Sequence, residues 1–111
     1  ELGDWCGAHG VRMPVIPRHC DQTYHMFYML MPSFAARQEL IAHLKERNIS
    51  AVFHYLPLHT SEMGMRYGYN EGDFPVTEDI SDRLVSLPMF NGMSDEDLAR
   101  VVDAVLSYVT A

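Results

Sequence analysis

Apolar positions along the chain fall into runs with two different periods. In SFAARQELIAHLKERN (33–48), Phe34, Leu40, Ile41 and Leu44 recur at helical spacing, with Glu39, His43 and Glu46 off the stripe. Ser33 is placed to cap this helix and Asn48 to stop it. SDEDLARVVDAVLSYV (94–109) repeats the pattern through Leu98, Val101, Val102, Val105 and Val109. Its Ser94 and Asp97 stand at capping-box spacing. A third helix is predicted over TEDISDRLVSL (77–87), with Ile80, Leu84 and Leu87 facing inward.

Two other runs lack the helical period. QTYHMFYMLM (22–31) is almost continuously apolar and aromatic, as a strand covered on both faces would be. ISAVFHYL (49–56) is β-branched and aromatic and reads as a second strand, closed by Pro57. Since two strands alone make no stable sheet, a further strand is expected from VRMPVI (11–16) or from residues 85–90. Residues 1–22, with three glycines and two prolines, read as an entry segment without a long regular element. Residues 57–75 read as a long loop with a short helical turn near 61–67, and 88–93 as extended and turn-like. The predicted fold class is α/β (α+β), a small three- to four-stranded sheet layered with helices, with 23–111 as the domain proper.

Composition narrows the partners. The chain has 111 residues, eight Lys plus Arg against fifteen Asp plus Glu, and a net charge of -7. That balance argues against a nucleic-acid surface, where basic excess supplies most of the affinity. No apolar run approaches the roughly 18 residues of a membrane span, and no targeting signal is visible. Cys6 and Cys20 are read as free thiols of a reducing, cytoplasmic compartment. The single lysine, Lys45, is the one candidate here for any lysine-based chemistry.

Chemistry-bearing residues gather in HYLPLH (54–59). His54 and Tyr55 are expected on opposite faces of their strand, with His59 beyond the Pro57 turn. Strand ends of open α/β sheets are common ligand positions, so this trio reads as a substrate rim, an acid/base site or ordinary packing. A zinc site would need His54 and His59 joined by His19, Cys20 or His25, at spacings unlike the paired motifs of zinc ligands. His19 beside Cys20 is a weak nucleophile–base signal. The SDED cluster (94–97) reads as a helix first turn complementing its macrodipole, and the methionines read as core and interface filler. MRYGYNEGDF (65–74) suits a sugar contact or a packed loop equally. No glycine-rich phosphate loop and no G-x-S-x-G elbow is present.

Taken in order, YHMFYML, ISAVFHYLPLH, RYGYNEGDFPVTEDISDRLVSLPMF and SDEDLARVVDAVLSYV resemble one family over residues 12–109. It is the DegT/DnrJ/EryC1/StrS family of pyridoxal-phosphate-dependent sugar aminotransferases. AVFHYLPLH is most similar to those acting on dTDP-4-oxo-6-deoxyglucose in lipopolysaccharide and enterobacterial common antigen synthesis. The resemblance implies the small C-terminal domain of a fold-type-I aminotransferase, with residues 1–22 leading in from a large domain. That large domain would supply the Schiff-base lysine and the other pyridoxal phosphate contacts. It would leave no catalytic, cofactor-binding or metal-binding residue in this chain, which would be inactive and cofactor-free alone. The resemblance further implies glutamate as amino donor, a homodimer, and a nucleotide-sugar-binding role for His54, Tyr55 and His59. The contrary expectation, from the bare residues, is a stand-alone α/β ligand-binding or interaction module. Separated from its large domain, the chain is expected to expose apolar surface around Trp5, VRMPVI and the strand-end aromatics.

Overall fold

The computed structural model describes residues 1–109. Its elements are α1 (Leu2–Ala8), β1 (Phe27–Leu30), α2 (Phe34–Glu46), a single 3-10 turn at Leu58–Thr60, α3 (Glu62–Arg66), α4 (Pro75–Arg83), β2 (Leu84–Leu87) and α5 (Asp95–Leu106).

The sheet is antiparallel and short. β1 pairs with β2 in the register Phe27–Leu87, Tyr28–Ser86, Met29–Val85 and Leu30–Leu84. Single bridges extend it on both sides, Arg12 to Leu30 and Val52 to Ser86. The order across the sheet is thus Arg12, β1, β2, Val52. Both places named for an extra strand contribute, but the expected strand over 49–56 shrinks to the one bridge at Val52. The expected strand at 22–31 likewise narrows to four residues, since Tyr24 takes a positive φ of 50° that breaks extension before Phe27.

Facing residues in an antiparallel pair share a side of the sheet. One side carries Phe27, Leu87, Met29 and Val85, and there the core forms. Met29, Met31, Leu40, Leu44, Val85 and Val105 are completely buried, drawn from β1 and the residue that follows it, β2, α2 and α5. Each such side chain contributes roughly 1.5–3 kcal/mol by leaving water. The periodicities of α2 and α5 are realised at Leu40, Leu44, Val101 and Val105, while Phe34, Leu98 and Val109 lie exposed at the edges of their stripes. The expected caps form: Ser33 Oγ accepts from Ala36 N–H and Ser94 Oγ from Asp97 N–H, both at 3.1 Å.

Two expectations need correction. Residues 77–87 are not one helix. Pro75 takes the first turn of α4, where its missing N–H costs nothing, and the chain passes at Leu84 directly into β2. Leu84 and Leu87 thereby serve the sheet instead of a helix face. The entry segment also contains a helix. α1 packs against α5 and places Trp5 and Cys6 in the core, so Trp5 is no part of an exposed apolar surface. Val15, Ile16 and Tyr55 are exposed as expected, Leu56 and Leu58 are exposed beside them, and Val11 is buried. Cys6 is buried, Cys20 is exposed, and both are free thiols.

Candidate functional site: two clefts around His54 and His59

The second side of the sheet, away from α2 and α5, carries Tyr28, Ser86, Leu30 and Leu84. Val52 pairs with Ser86 and so shares its side. Two residues on, His54 returns to that side, and its Nδ1 lies 3.1 Å from Ser86 Oγ. The Ser86 hydroxyl donates to Met26 Sδ at 3.3 Å, leaving its oxygen to accept from the imidazole. Phe53, between them, turns to the core side and lies against the Arg37 guanidinium at 4.5 Å. Alternation therefore holds through His54.

Beyond His54 it fails. Tyr55 does not oppose His54; the peptide bond between them is cis, and their rings are in contact with centroids 4.7 Å apart. Ser81 of α4 donates its hydroxyl to the Tyr55 carbonyl and ties this segment to the helix. His54, Tyr55, Pro57, Ile80 and Ser81 line an open cleft of about 440 Å³.

His59 sits elsewhere. It lies in the 3-10 turn, 7% exposed, and its Nε2 donates to Glu78 Oε1 at 2.6 Å. The same oxygen accepts Gly72 N–H at 2.8 Å. The His59 hydrogen bond foremost, then that of Gly72, hold the Glu78 carboxyl below its ordinary range. Phe74 meets the imidazole edge-on at 4.9 Å and leans on Tyr69 at 5.7 Å. His59, Met63, Tyr67, Tyr69 and Phe74 line a second cleft, of about 550 Å³, which is predominantly apolar. Leu58 and Thr77 border both clefts and form the ridge between them. MRYGYNEGDF thus supplies an aromatic wall.

The trio is therefore divided: His54 and Tyr55 on one side of a ridge, His59 on the other. His19, Cys20 and His25 do not join them, and among the described residues no three His, Cys, Asp or Glu side chains gather to hold a metal ion. Two partners escaped the sequence reading. Glu78 looks like any acidic residue in a helix first turn, and Ser86 like a helix position until β2 is recognised. A third surprise is Arg37, buried at 4% exposure between the Phe34 and Phe53 rings, with Nε and Nη1 unpartnered. Lys45 is exposed at the end of α2 and lines neither cleft.

Comparison with known proteins agrees with this fold. The model of the DegT/DnrJ/EryC1/StrS aminotransferase family matches residues 4–106. Among curated relatives, a dTDP-3-amino-3,4,6-trideoxy-alpha-D-glucose transaminase of Micromonospora megalomicea is 32% identical over 98% of this chain and 29% of its own length. A dTDP-3-amino-3,6-dideoxy-alpha-D-galactopyranose transaminase of Aneurinibacillus thermoaerophilus is 30% identical over 84% of this chain and 25% of its own. Among solved structures, S. venezuelae DesV in complex with a ketimine intermediate superposes with a TM-score of 0.80 at 26% identity, over 98% of this chain and 31% of DesV. The chain thus spans between about a quarter and a third of the proteins it resembles. With the family pattern running through nearly all of its residues and the fold superposing along the same length, the chain belongs to the DegT/DnrJ/EryC1/StrS aminotransferase family.

Proposed function

We propose that this chain is the substrate-facing small domain of a pyridoxal-phosphate-dependent nucleotide-sugar aminotransferase. Residues 1–22 lead in from the rest of the protein and 23–111 form the domain, with α1 folded back onto it. The whole protein moves an amino group, from glutamate, to a dTDP-4-keto-6-deoxyhexose for lipopolysaccharide or another surface polysaccharide. It works in the cytoplasm as a homodimer. The observation that carries this reading is family membership together with two relatives named as dTDP-sugar transaminases. Membership also counts against a self-sufficient binding module.

The residues of this chain do not by themselves fit the cofactor. Lys45 is exposed on a helix end, apart from both clefts, and among the described residues no lysine lines either of them. Cofactor chemistry, in which an electron sink stabilises a carbanion, belongs to the remainder of the protein. What this chain supplies is positioning: imidazole, phenol and aromatic surfaces that hold a sugar nucleotide in reach of that chemistry.

The test uses the whole protein, loaded with pyridoxal phosphate and given glutamate and a dTDP-4-keto-6-deoxyhexose. Mass spectrometry should find the amino sugar, and residues 1–111 alone should neither bind the cofactor nor turn over. An absence of amino transfer to every nucleotide sugar offered would refute the reading.

A further inference from the structure

His59 commits one ring nitrogen to the protein and leaves the other open. Nε2 points at Glu78 Oε1, 2.6 Å away. Among the described residues Nδ1 makes no hydrogen bond, and it is not one of the fully buried unpartnered side-chain atoms, which are Arg37 Nε and Nη1. His59 lines the aromatic cleft, and Nδ1 is its one uncommitted ring nitrogen. We infer that Glu78 is the positioning residue of this site, fixing the His59 proton on Nε2 so that Nδ1 meets the cleft as a hydrogen-bond acceptor for a hydroxyl of the bound ligand. This rests on the reading of the chain as a wall of a nucleotide-sugar site.

Two groups hold the ring, and a third holds one of them. A carboxylate accepts and cannot donate, so its partner nitrogen must carry the proton. In the neutral ring the other nitrogen then bears a lone pair. Glu78 cannot swing away freely, because Gly72 N–H donates to the same oxygen at 2.8 Å. Phe74 blocks rotation of the imidazole by edge contact at 4.9 Å. The outcome discriminates among ligand groups. A phosphate offers acceptors only and would face a lone pair, whereas a hydroxyl donates into it. Tyr69 and Phe74 beside the imidazole provide apolar surface for the carbon-bound face of a sugar ring. With the imidazole neutral, the cleft is therefore assigned to a hydroxyl-bearing ring, either the hexose or the ribose, in preference to the diphosphate.

The test combines a tautomer measurement with kinetics on the whole protein. Nitrogen-15 NMR of histidine-labelled protein should show His59, assigned by its loss in His59→Asn, protonated on Nε2 in the neutral state. Glu78→Ala should raise KM for the nucleotide sugar about 10-fold, the loss of one well-placed hydrogen bond. In that variant kcat and cofactor absorbance should be retained. Glu78→Gln, whose amide oxygen still accepts from Nε2, should recover most of the KM. If Glu78→Ala also weakens inhibition by a nucleoside diphosphate, the hydroxyl is that of the ribose; if inhibition is unchanged, it is that of the hexose. An Nδ1–H tautomer, or a KM within twofold of the parent in Glu78→Ala, would overturn the assignment. Should Glu78→Ala not fold, the tautomer and Glu78→Gln decide it. If the parent protein transfers no amino group at all, the proposed activity fails, while the NMR result still judges the dyad.

Discussion

The indole Nε1 of Trp5 donates to the backbone carbonyl of Tyr108 at 3.1 Å, joining residues 103 positions apart in the chain. The Tyr108 hydroxyl in turn donates to Glu39 Oε2 at 2.9 Å, so one aromatic pair links α1, α2 and the end of α5. Trp5→Phe keeps most of the apolar contact but strands that carbonyl, and should cost about 1–2 kcal/mol. Trp5→Ala also leaves a cavity and should cost about 3–5 kcal/mol. Urea unfolding monitored by circular dichroism checks both, and a Trp5→Phe variant as stable as the parent would show that the hydrogen bond contributes nothing.

Arg37 makes the opposite case. Its guanidinium lies 4.8 Å from the Phe34 centroid and 4.5 Å from that of Phe53, yet Nε and Nη1 are unpartnered. Burial lowers its pKa, with Asp82 pulling the other way. Breaking a buried ion pair commonly costs about 3–5 kcal/mol, whereas replacing a poorly compensated charge by an apolar side chain is often neutral or stabilising. Arg37→Leu should therefore stay within about 1 kcal/mol of the parent. A loss of several kcal/mol in the same urea measurement would mean that the stacked guanidinium holds the α2–Phe53 contact in a way leucine cannot.

Gly64 sets the shape of the His59 cleft. A Cβ built there would overlap the carbonyl oxygens of Leu58 and His59, main-chain atoms that have nowhere to move. Gly64→Ala should push α3 away from the 3-10 turn and cost about 1–3 kcal/mol as an overpacking change. Gly68→Ala, where nothing lies within 4 Å but φ is +91°, tests backbone strain without the clash. Of the two, Gly64→Ala alone should shift the His59 and Phe74 ring signals in proton NMR.

How much of this was legible in the sequence depends on the range of the forces involved. α2 and α5 were readable because Leu40, Leu44, Val101 and Val105 recur at 3.6 residues and their caps lie three residues away. LVSL (84–87) was legible only in part: a strand was expected near 85–90, but the segment also continues a helical stripe from Ile80, and only pairing with FYML, more than fifty residues earlier, decides for the strand. α1 was hidden by Gly3 and Gly7, poor helix formers overridden by burial of Trp5 and Cys6. The HYLPLH segment was correctly seen as the place where polar groups gather. Its division by the Leu58–Thr77 ridge was not visible, because Glu78 and Ser86 reach it from 19 and 32 residues away.

Two titrations should frame the stability of the domain. The Glu78 carboxyl is held below its ordinary value of 4.5 by hydrogen bonds from His59 and Gly72. Its contribution is therefore present above that value and lost as pH falls through the lower folded-state pKa. The Tyr108 hydroxyl is pushed from 10.0 up to about 12, first by burial and then by its bond to Glu39. Its contribution is intact below pH 10 and disappears as pH climbs toward 12. Thermal midpoints across pH should show Glu78→Gln converging on the parent only at the acid end. Tyr108→Phe should converge only at the alkaline end. A constant offset at every pH would contradict the assignment of either group.

His54 offers the sharpest separation of sugar binding from cofactor binding. Its Nδ1 is fixed to Ser86 Oγ at 3.1 Å, and its ring supports the exposed Tyr55 ring at 4.7 Å. Ser86 is buried on β2, so the imidazole is aimed by the sheet itself. Under the proposed function, His54→Ala removes a polar contact and the support of Tyr55 together. The nucleotide-sugar KM should rise about 10–100-fold, the range of one or two lost hydrogen bonds. Ser86→Ala keeps the imidazole but frees its orientation, and should produce a smaller rise of about 3–10-fold by the same arithmetic. Neither change touches a cofactor-holding group, so pyridoxal phosphate absorbance of the whole protein should match the parent. Steady-state kinetics beside that spectrum checks both expectations at once. Loss of the cofactor signal in His54→Ala, with the KM of surviving enzyme unchanged, would move this cleft from the sugar to the cofactor side of the site.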